Sequence, residues 1–355
     1  MIFTLFGYPK TGKTLLFNLL TDKQEDISKF STAANKFHKA LIDVPDPRLD
    51  KLAELLNLPP VHAQIDYLDT GPISFGEVKN STFIDLLRRA DGLVHVARGF
   101  DDPELLHPLG SIDPARDIQN MEDELLLVDL VTIEKRLEKL EIDLRKMKSR
   151  ELEDEFDLLK KLKIVLEEGK PLRQYDLKPT EDHLIRGFKF LTIKPLINMI
   201  NADEKSYESF LSMQKEPEKN TATIVFCAQI ETELLELPET DRAAFENEFG
   251  LKQYNYIKES FIKSSYQLMN LISFFTIGKQ EAKAWTISKN TSAYEAAGKI
   301  HSDIQQGFIR AEVIGVKDFL ESGGFAQARE KGILRLEGKE YQINDGEIIH
   351  FRFGK

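Results

Sequence analysis

In residues 1 to about 117, short apolar β-branched runs alternate with stretches of helical period. "IFTLF", "QIDYL" and "GLVHVAR" predict strands, and "KTLLFNLL" and "STFIDLLRRA" predict helices. Runs that are apolar on both faces suit a parallel sheet covered by helices. From about 118 the pattern changes. Leu126, Leu130, Ile133, Leu137, Leu140, Leu144 and Met147 recur at alternating spacings of four and three, a heptad seam with Glu, Lys and Arg between. After "KSRE" a second series, Leu152, Phe156, Leu159, Leu162 and Leu166, runs up to Gly169 and Pro171. Two long helices folded back as a projecting antiparallel arm account for this. An ordinary amphipathic pair lying on the sheet is the alternative.

The sheet pattern then resumes, so the arm is an insertion. "TIKPLINMIN" and "TATIVFCA" predict buried strands that end in polar loops. Beyond about 271 the strands "AKAWTIS", "FIRAEVI", "GILRLEGKEYQI" and "EIIHFRF" surround one helix, "TSAYEAAGKIHSDI". Ser292 and Glu295 form a capping box at its start. One helix crossing a small mixed sheet predicts a β-grasp module of the ubiquitin type. The expected fold class is therefore α/β: a parallel sheet domain (1–117 and 183–270), which the glycine-rich stretch "GYPKTGKT" after its first strand makes a P-loop NTPase sheet, an inserted antiparallel helical hairpin (118–182) and a C-terminal β-grasp domain (271–355).

Composition narrows the setting. A net charge of −11 argues against a generally basic nucleic-acid binder, although a local basic face is compatible with it. The single cysteine, Cys227, excludes a disulfide framework and a multi-cysteine metal site and fits a reducing compartment. No apolar run reaches the roughly 18 residues that span a bilayer, and "MIFTLFG" is too short for a signal peptide. A cytoplasmic protein with no membrane partner is expected.

The chemistry begins at "GYPKTGKT", which matches G-x-x-x-x-G-K-[ST] in full between a predicted strand and a predicted helix. Gly7 and Gly12 let the backbone wrap phosphates, Lys13 supplies a point charge, and the Thr14 hydroxyl suits Mg2+. Asp69, ending "QIDYL", stands where a water-mediated Mg2+ contact is expected. Thr32, in a polar loop, is either a second Mg2+-coordinating hydroxyl or a solvent-exposed loop residue. A guanine-selective site would read N-K-x-D after the strand "PLINMI"; this chain reads "NADE", Asn201 to Glu204. Ala202 removes the lysine stem that would pack on the base. Glu204 misplaces the carboxylate that grips guanine. Asn201 can still donate and accept, as an amide does toward adenine. This favours ATP over GTP.

These motifs, with "PDPRLDKLAELL", "RRADGLVHVARGF", "HPLGSIDPARDI", "FCAQIETELLEL", "LISFFTIGKQEAKAWTI" and "AGKIHSDIQQGFIRAEVI", resemble the YchF-type Obg-like ATPases along the whole chain. The resemblance implies that the β-grasp region is a TGS domain. It implies a slow, Mg2+-dependent ATPase that binds GTP more weakly and associates with the large ribosomal subunit in translation or stress regulation. RNA contact through the arm and the TGS region, and a monomeric state, are expected. On matching positions, Lys10, Thr11, Gly12, Lys13, Thr14 and Leu15 would wrap the phosphates. Thr14 and Thr32 would hold the metal, and Asn201 and the Ala202 backbone would meet adenine. His107, in "LLHPLGSIDP", matches a loop histidine proposed to help hydrolysis; read alone, it is an ordinary loop residue.

One departure bears on turnover. The resembled family reads D-x-x-G where this chain reads "DTGP", so glycine comes one residue early at Gly71 and Pro72 takes its place. Proline has no N–H with which to bond a γ-phosphate. Two functions stay open at this stage: a slow ATPase switch on ribosomes, or a nucleotide-gated scaffold with little or no turnover.

Overall fold

The computed structural model describes residues 1–21, 38–70, 81–147, 149–238, 240–242 and 257–354. The chain forms two compact units, Met1–Ala40 with Asp66–Leu268, and Leu41–Ile65 with Met269–Lys355.

The first six strands and their helices follow in chain order. They are β1 (Ile2–Phe6), α1 (Lys13–Thr21), β2 (His38–Val44), α2 (Pro47–Leu56), β3 (Pro60–Val61), β4 (Ala63–Asp69), α3 (Ser81–Arg89), β5 (Gly92–Gly99), α4 (Pro114–Lys146), α5 (Arg150–Glu167), α6 (Pro179–Ile185) and β6 (Leu196–Ala202). Then come α7 (Glu204–Phe210), β7 (Lys215–Glu218), β8 (Thr221–Phe226), α8 (Ala228–Glu236) and α9 (Ile257–Leu268). A seven-stranded sheet takes the order β2-β4-β1-β5-β6-β8-β7. Neighbours from β4 to β8 are parallel, and β7 closes one edge antiparallel to β8. Strands β5 and β6 are buried along their whole length, as their unbroken apolar runs require. The register places Phe6 beside His95 and Gly99 beside Ala202, so the loops after β1, β5 and β6 leave from one sheet edge.

The strand expected in "TIKPLINMIN" is shorter than its apolar run, beginning only at Leu196. Asp129 captures the amides of Leu191 and Thr192 and the Thr192 hydroxyl. Lys194 donates to the carbonyls of Arg88 and Ala90 at the end of α3, and Pro195 offers no N–H. The preceding residues are thereby held in a turn.

Helices α4 and α5 pair as a helical hairpin, and the N-terminal half of α4 (Met121, Leu125, Val128) packs with Phe6, Leu87 and Leu93. Asp113 caps α4, accepting from the Arg116 amide, with Pro114 at the first helical position. Leu126, Ile133 and Leu140 from α4 pack with Leu158, Leu159, Leu162 and Leu166 from α5, so the heptad seam is the contact between the helices. Met147, last of the seam series, lies past the end of α4 and is exposed. Arg136 grips Glu155 through two 2.7 Å bonds across the pair.

The second unit carries β9 (Leu271–Ile277), β10 (Ala282–Ser288), α10 (Ala293–Ile300), α11 (Ser302–Gln306), β11 (Phe308–Gly315), α12 (Val316–Ser322), α13 (Phe325–Glu330), β12 (Arg335–Glu337) and β13 (Glu347–Phe353). Its sheet runs β12-β11-β13-β9-β10-β3. The β9–β10 hairpin, a crossing helix and a final strand parallel to β9 give a β-grasp order. Ala293, Ala296 and Ala297 of α10 pack on Ile272, Phe274, Val313 and Phe351. The Ser292–Glu295 capping box is formed. The single helix expected in "TSAYEAAGKIHSDI" is broken at His301, whose backbone is extended and whose Nδ1 accepts from the Asp303 amide to start α11. The strand expected over "GILRLEGKEYQI" is confined to Arg335–Glu337. Beyond it the chain is diverted, because the carbonyls of Lys339 and Tyr341 accept the first amides of α10.

Residues 41–65 belong to this second unit. Arg48 donates to Asp46 on α2's own N-terminal side and to Asp345 before β13, at 2.6 Å for the shorter Asp345 bond. Its guanidinium lies over Phe275, and β3 pairs parallel with β10.

Candidate nucleotide site

The loop between β1 and α1 is shaped by its glycines. Gly12 has φ +92°, and a Cβ there would fall 2.3 Å from Asn201 Nδ2. A Cβ on Gly7 would fall 2.5 Å from the Val96 carbonyl oxygen. Both positions therefore exclude a side chain. Lys10 also takes a positive φ, +60°. Thr11 is buried and its hydroxyl donates to the Tyr8 carbonyl at 3.2 Å, which tightens the turn. Leu15 lies half-buried on α1.

Lys13 is buried at the first position of α1. Its Nζ donates to the carbonyls of Gly7 (2.9 Å) and Tyr8 (2.7 Å). Burial pulls its ammonium down to about 8, and Asp69 acts against that pull. A phosphate group would replace two neutral acceptors with charged oxygens, which favours the charged ammonium.

Thr14 and Asp69 meet where a cation would sit. The Thr14 hydroxyl donates to Asp69 Oδ2 at 3.1 Å. Among the described residues Asp69 Oδ1 is buried with no hydrogen-bond partner. Burial raises the Asp69 carboxyl, with Lys13 and Thr14 opposing. A hydroxyl and an unpartnered buried carboxylate oxygen are hard donors of the kind Mg2+ takes, so the residues present fit that ion. Thr70 anchors the end of β4 through its hydroxyl and amide, both donating to the Leu5 carbonyl. Thr32 and Gly71, and Pro72 with it, lie outside the described residues.

Asn201 is brought against the loop rather than left free. Its Nδ2 donates to the Thr11 carbonyl at 3.2 Å, and its Oδ1 accepts the Ala228 amide at 3.2 Å. One N–H and one acceptor lone pair remain for a base. Ala202, next along β6, is buried, and Glu204 is exposed at the start of α7. Between them Asp203 caps α7 through the Ser206 amide and also accepts the Asp101 amide at 2.9 Å.

His107 is turned inward. Its Nδ1 accepts the Leu109 amide at 3.2 Å, which leaves the proton on Nε2, 2.9 Å from Asp117 Oδ2. The imidazole is 3% exposed and Asp117, in the first turn of α4, is fully buried. Leu109 packs on the cluster that holds Phe6 from the end of β1, Tyr8 from the phosphate loop, and Met121 and Leu125 from α4.

Sequence reasoning missed four contributors. His95 lies beneath Gly7, fully buried, and burial pushes it down to about 3, with Lys13 adding to the effect, so it is neutral at physiological pH. Arg98, Asp203 and Ser206 fasten the loops around the site. The signal for Arg98 was present in "VHVAR", a cation closing an otherwise apolar strand. No sequence pattern distinguished Asp203 from the neighbouring Glu204.

A glycine-wrapped loop between a strand and a helix at the carboxyl edge of a parallel sheet, with its lysine, threonine and aspartate assembled, defines a P-loop nucleotide-binding α/β protein. Comparison with known proteins narrows this class. Residues 271–354 match the family YchF-GTPase_C, described as a protein of unknown function (DUF933). The chain is 37% identical to the ribosome-binding ATPase YchF of Bacillus subtilis over 361 residues, with 98% of each chain covered. It is 35% identical to the protein of that name from Haemophilus ducreyi, again over 98% of each. The solved structure of the Schizosaccharomyces pombe YchF GTPase superposes with a TM-score of 0.82 at 28% identity, covering 99% of this chain and 97% of that one. The chain belongs to the YchF family.

Proposed function

We propose that this chain binds ATP with Mg2+, hydrolyses it slowly and associates with the ribosome through its large subunit, in translation or stress regulation. The observation that carries the nucleotide reading is the convergence of Lys13, the Thr14–Asp69 pair and the Asn201 tie on one loop. Gly7, Lys10, Thr11, Gly12 and Leu15 would wrap the phosphates, and Lys13 would leave the Gly7 and Tyr8 carbonyls for phosphate oxygens. Thr14 and Thr32 would hold the metal, with Asp69 behind Thr14. Mg2+ supplies charge neutralisation on the phosphates when bound. Asn201 and the Ala202 backbone would meet adenine, with Glu204 at the margin and GTP held more weakly. His107 would help position water once its imidazole leaves Asp117. The ribosome reading is supported by the names of the curated relatives.

The region 271–355 acts in this reading as a TGS domain and the arm as an RNA-contacting insertion in a monomeric, cytoplasmic protein. Of the basic residues along the arm, Arg136 is already spent on Glu155 and Arg150 is paired at the surface with Asp154; Lys135, Lys139, Arg145, Lys146, Lys148 and Arg150 are the candidate phosphate contacts. Salt-sensitive co-sedimentation with ribosomes tests their role.

A second reading is favoured by Pro72: ATP orders the protein as a scaffold without efficient turnover, because the amide that would sense the γ-phosphate is missing. Single-turnover hydrolysis of bound ATP decides between them. Turnover that is lost on Lys13→Ala supports the switch. Tight ATP binding with no turnover, with or without ribosomes, supports the scaffold.

A further inference from the structure

Arg98, next to last in β5, is a 1%-exposed side chain whose guanidinium reaches into the following loop. Its Nε donates to the Phe100 carbonyl (3.1 Å), Nη1 to the Leu105 carbonyl (2.9 Å) and Nη2 to the Asp102 carbonyl (3.4 Å), and it lies over the Phe100 ring. Three carbonyls spread over six residues are thus gathered on one planar fork. Such a fork sets the curvature of a loop in a way a single ammonium cannot. The same loop is tied to the turn after β6: the Asp101 amide donates to Asp203 Oδ2, and the Ser206 hydroxyl donates to the Gly99 carbonyl. Two residues beyond the gathered segment stands His107, and Leu109 packs beside Phe6 and Tyr8.

We propose that Arg98 is a positioning residue for nucleotide turnover, folding residues 100–110 around its guanidinium and so fixing the place of His107, which rests against Asp117 two residues before Leu109 in the cluster that holds Tyr8. Asp203 joins that loop to the base-side turn. The proposal rests on the reading of His107 given above, and Arg98 acts only through it. Phe100, Asp102 and Leu105 are only half-buried and alternate with exposed Asp101, Pro103, Glu104 and Leu106, so the carbonyls released by a variant can meet water. The effect of losing Arg98 should therefore fall on loop order and turnover rather than on the fold.

The test uses the full chain as wild type, Arg98→Met, Arg98→Lys, His107→Ala and the Arg98→Met/His107→Ala double variant. Amide exchange, ATP calorimetry and single-turnover hydrolysis are read on each. Arg98→Met is expected to speed exchange across residues 99–110 by about tenfold or more while α1 and β6 keep their protection. ATP affinity should stay within about threefold, while the turnover rate falls to that of His107→Ala and the double variant is no slower than either single one. Arg98→Lys should behave like Arg98→Met, because charge without the fork does not gather the carbonyls. Unchanged exchange in the loop, losses that multiply in the double variant, or full rescue by lysine would each overturn the proposal. If the wild type binds ATP but never cuts it, the hydrolytic reading falls separately, and with it the turnover role of Arg98; loop exchange then still reports whether Arg98 orders the segment.

Discussion

Removing only the proton from Lys13 should change how tightly the chain holds ATP. Buried among neutral carbonyls, the ammonium is pulled down to about 8 before nucleotide arrives. Phosphate oxygens favour the charged form, so binding above that value requires the protein to take up a proton. The sign follows: affinity is full below about 8 and falls as pH rises. Between about pH 7 and about pH 9 the protonated fraction drops roughly tenfold, so Kd for MgATP should rise roughly tenfold, a loss of about 1.4 kcal/mol. Calorimetry in two buffers of different ionisation enthalpy reads this directly, with close to one proton taken up per ATP near pH 9 and almost none near pH 7. Lys13→Met should bind weakly with no such dependence. A wild-type Kd that is flat across this range, with no proton uptake, would refute the argument that burial controls this ammonium.

Gly12→Ala should cost about 2–3 kcal/mol of local stability, from left-handed backbone strain and loss of the Asn201–Thr11 bond; lost ATP binding with a lowered urea midpoint is the expected result. Asn201→Ala leaves the buried Ala228 amide without its acceptor and should destabilise the protein by about 1–3 kcal/mol in urea titration. That variant should weaken ATP and GTP together, since it loosens the phosphate loop as well as any base contact. Asp129 is pushed up to about 6 by burial, against the donors from Thr192 and Leu191. Its folded value exceeds the ordinary 3.8, so its favourable contribution is complete below about 4 and is lost as pH rises through 6. Relative to Asp129→Asn, wild-type stability in urea titrations should fall by up to about 3 kcal/mol across that window.

The parts of the fold written in local pattern were legible. The β1 and β5 runs, the α4–α5 seam and the Ser292–Glu295 box all announce themselves through period or cap chemistry. What escaped depends on distant partners. The strand before Leu196 is shortened by Asp129, more than sixty residues earlier. The helix at His301 breaks through a side-chain cap that no hydrophobic period encodes. At the site, the motif gave the loop, while Asn201 showed its two bonds to Thr11 and Ala228 only in the fold. Asp203 was hidden for the same reason, since it accepts from main-chain amides, which carry no sequence signature; Arg98 stood out as a cation in an apolar strand, but its three carbonyl partners did not.

Arg48 and Asp345 stand 297 residues apart in the chain. At about 5–20 residues per second, a ribosome making this protein needs roughly 15–60 s to deliver the second after the first. For most of that time α2, with Leu49, Leu52 and Ala53 destined for burial, has no partner strands from residues 269–355 on which to settle. The second unit is thus closed by a segment made long after α2, and a nascent chain stalled before β9 would keep that helix waiting.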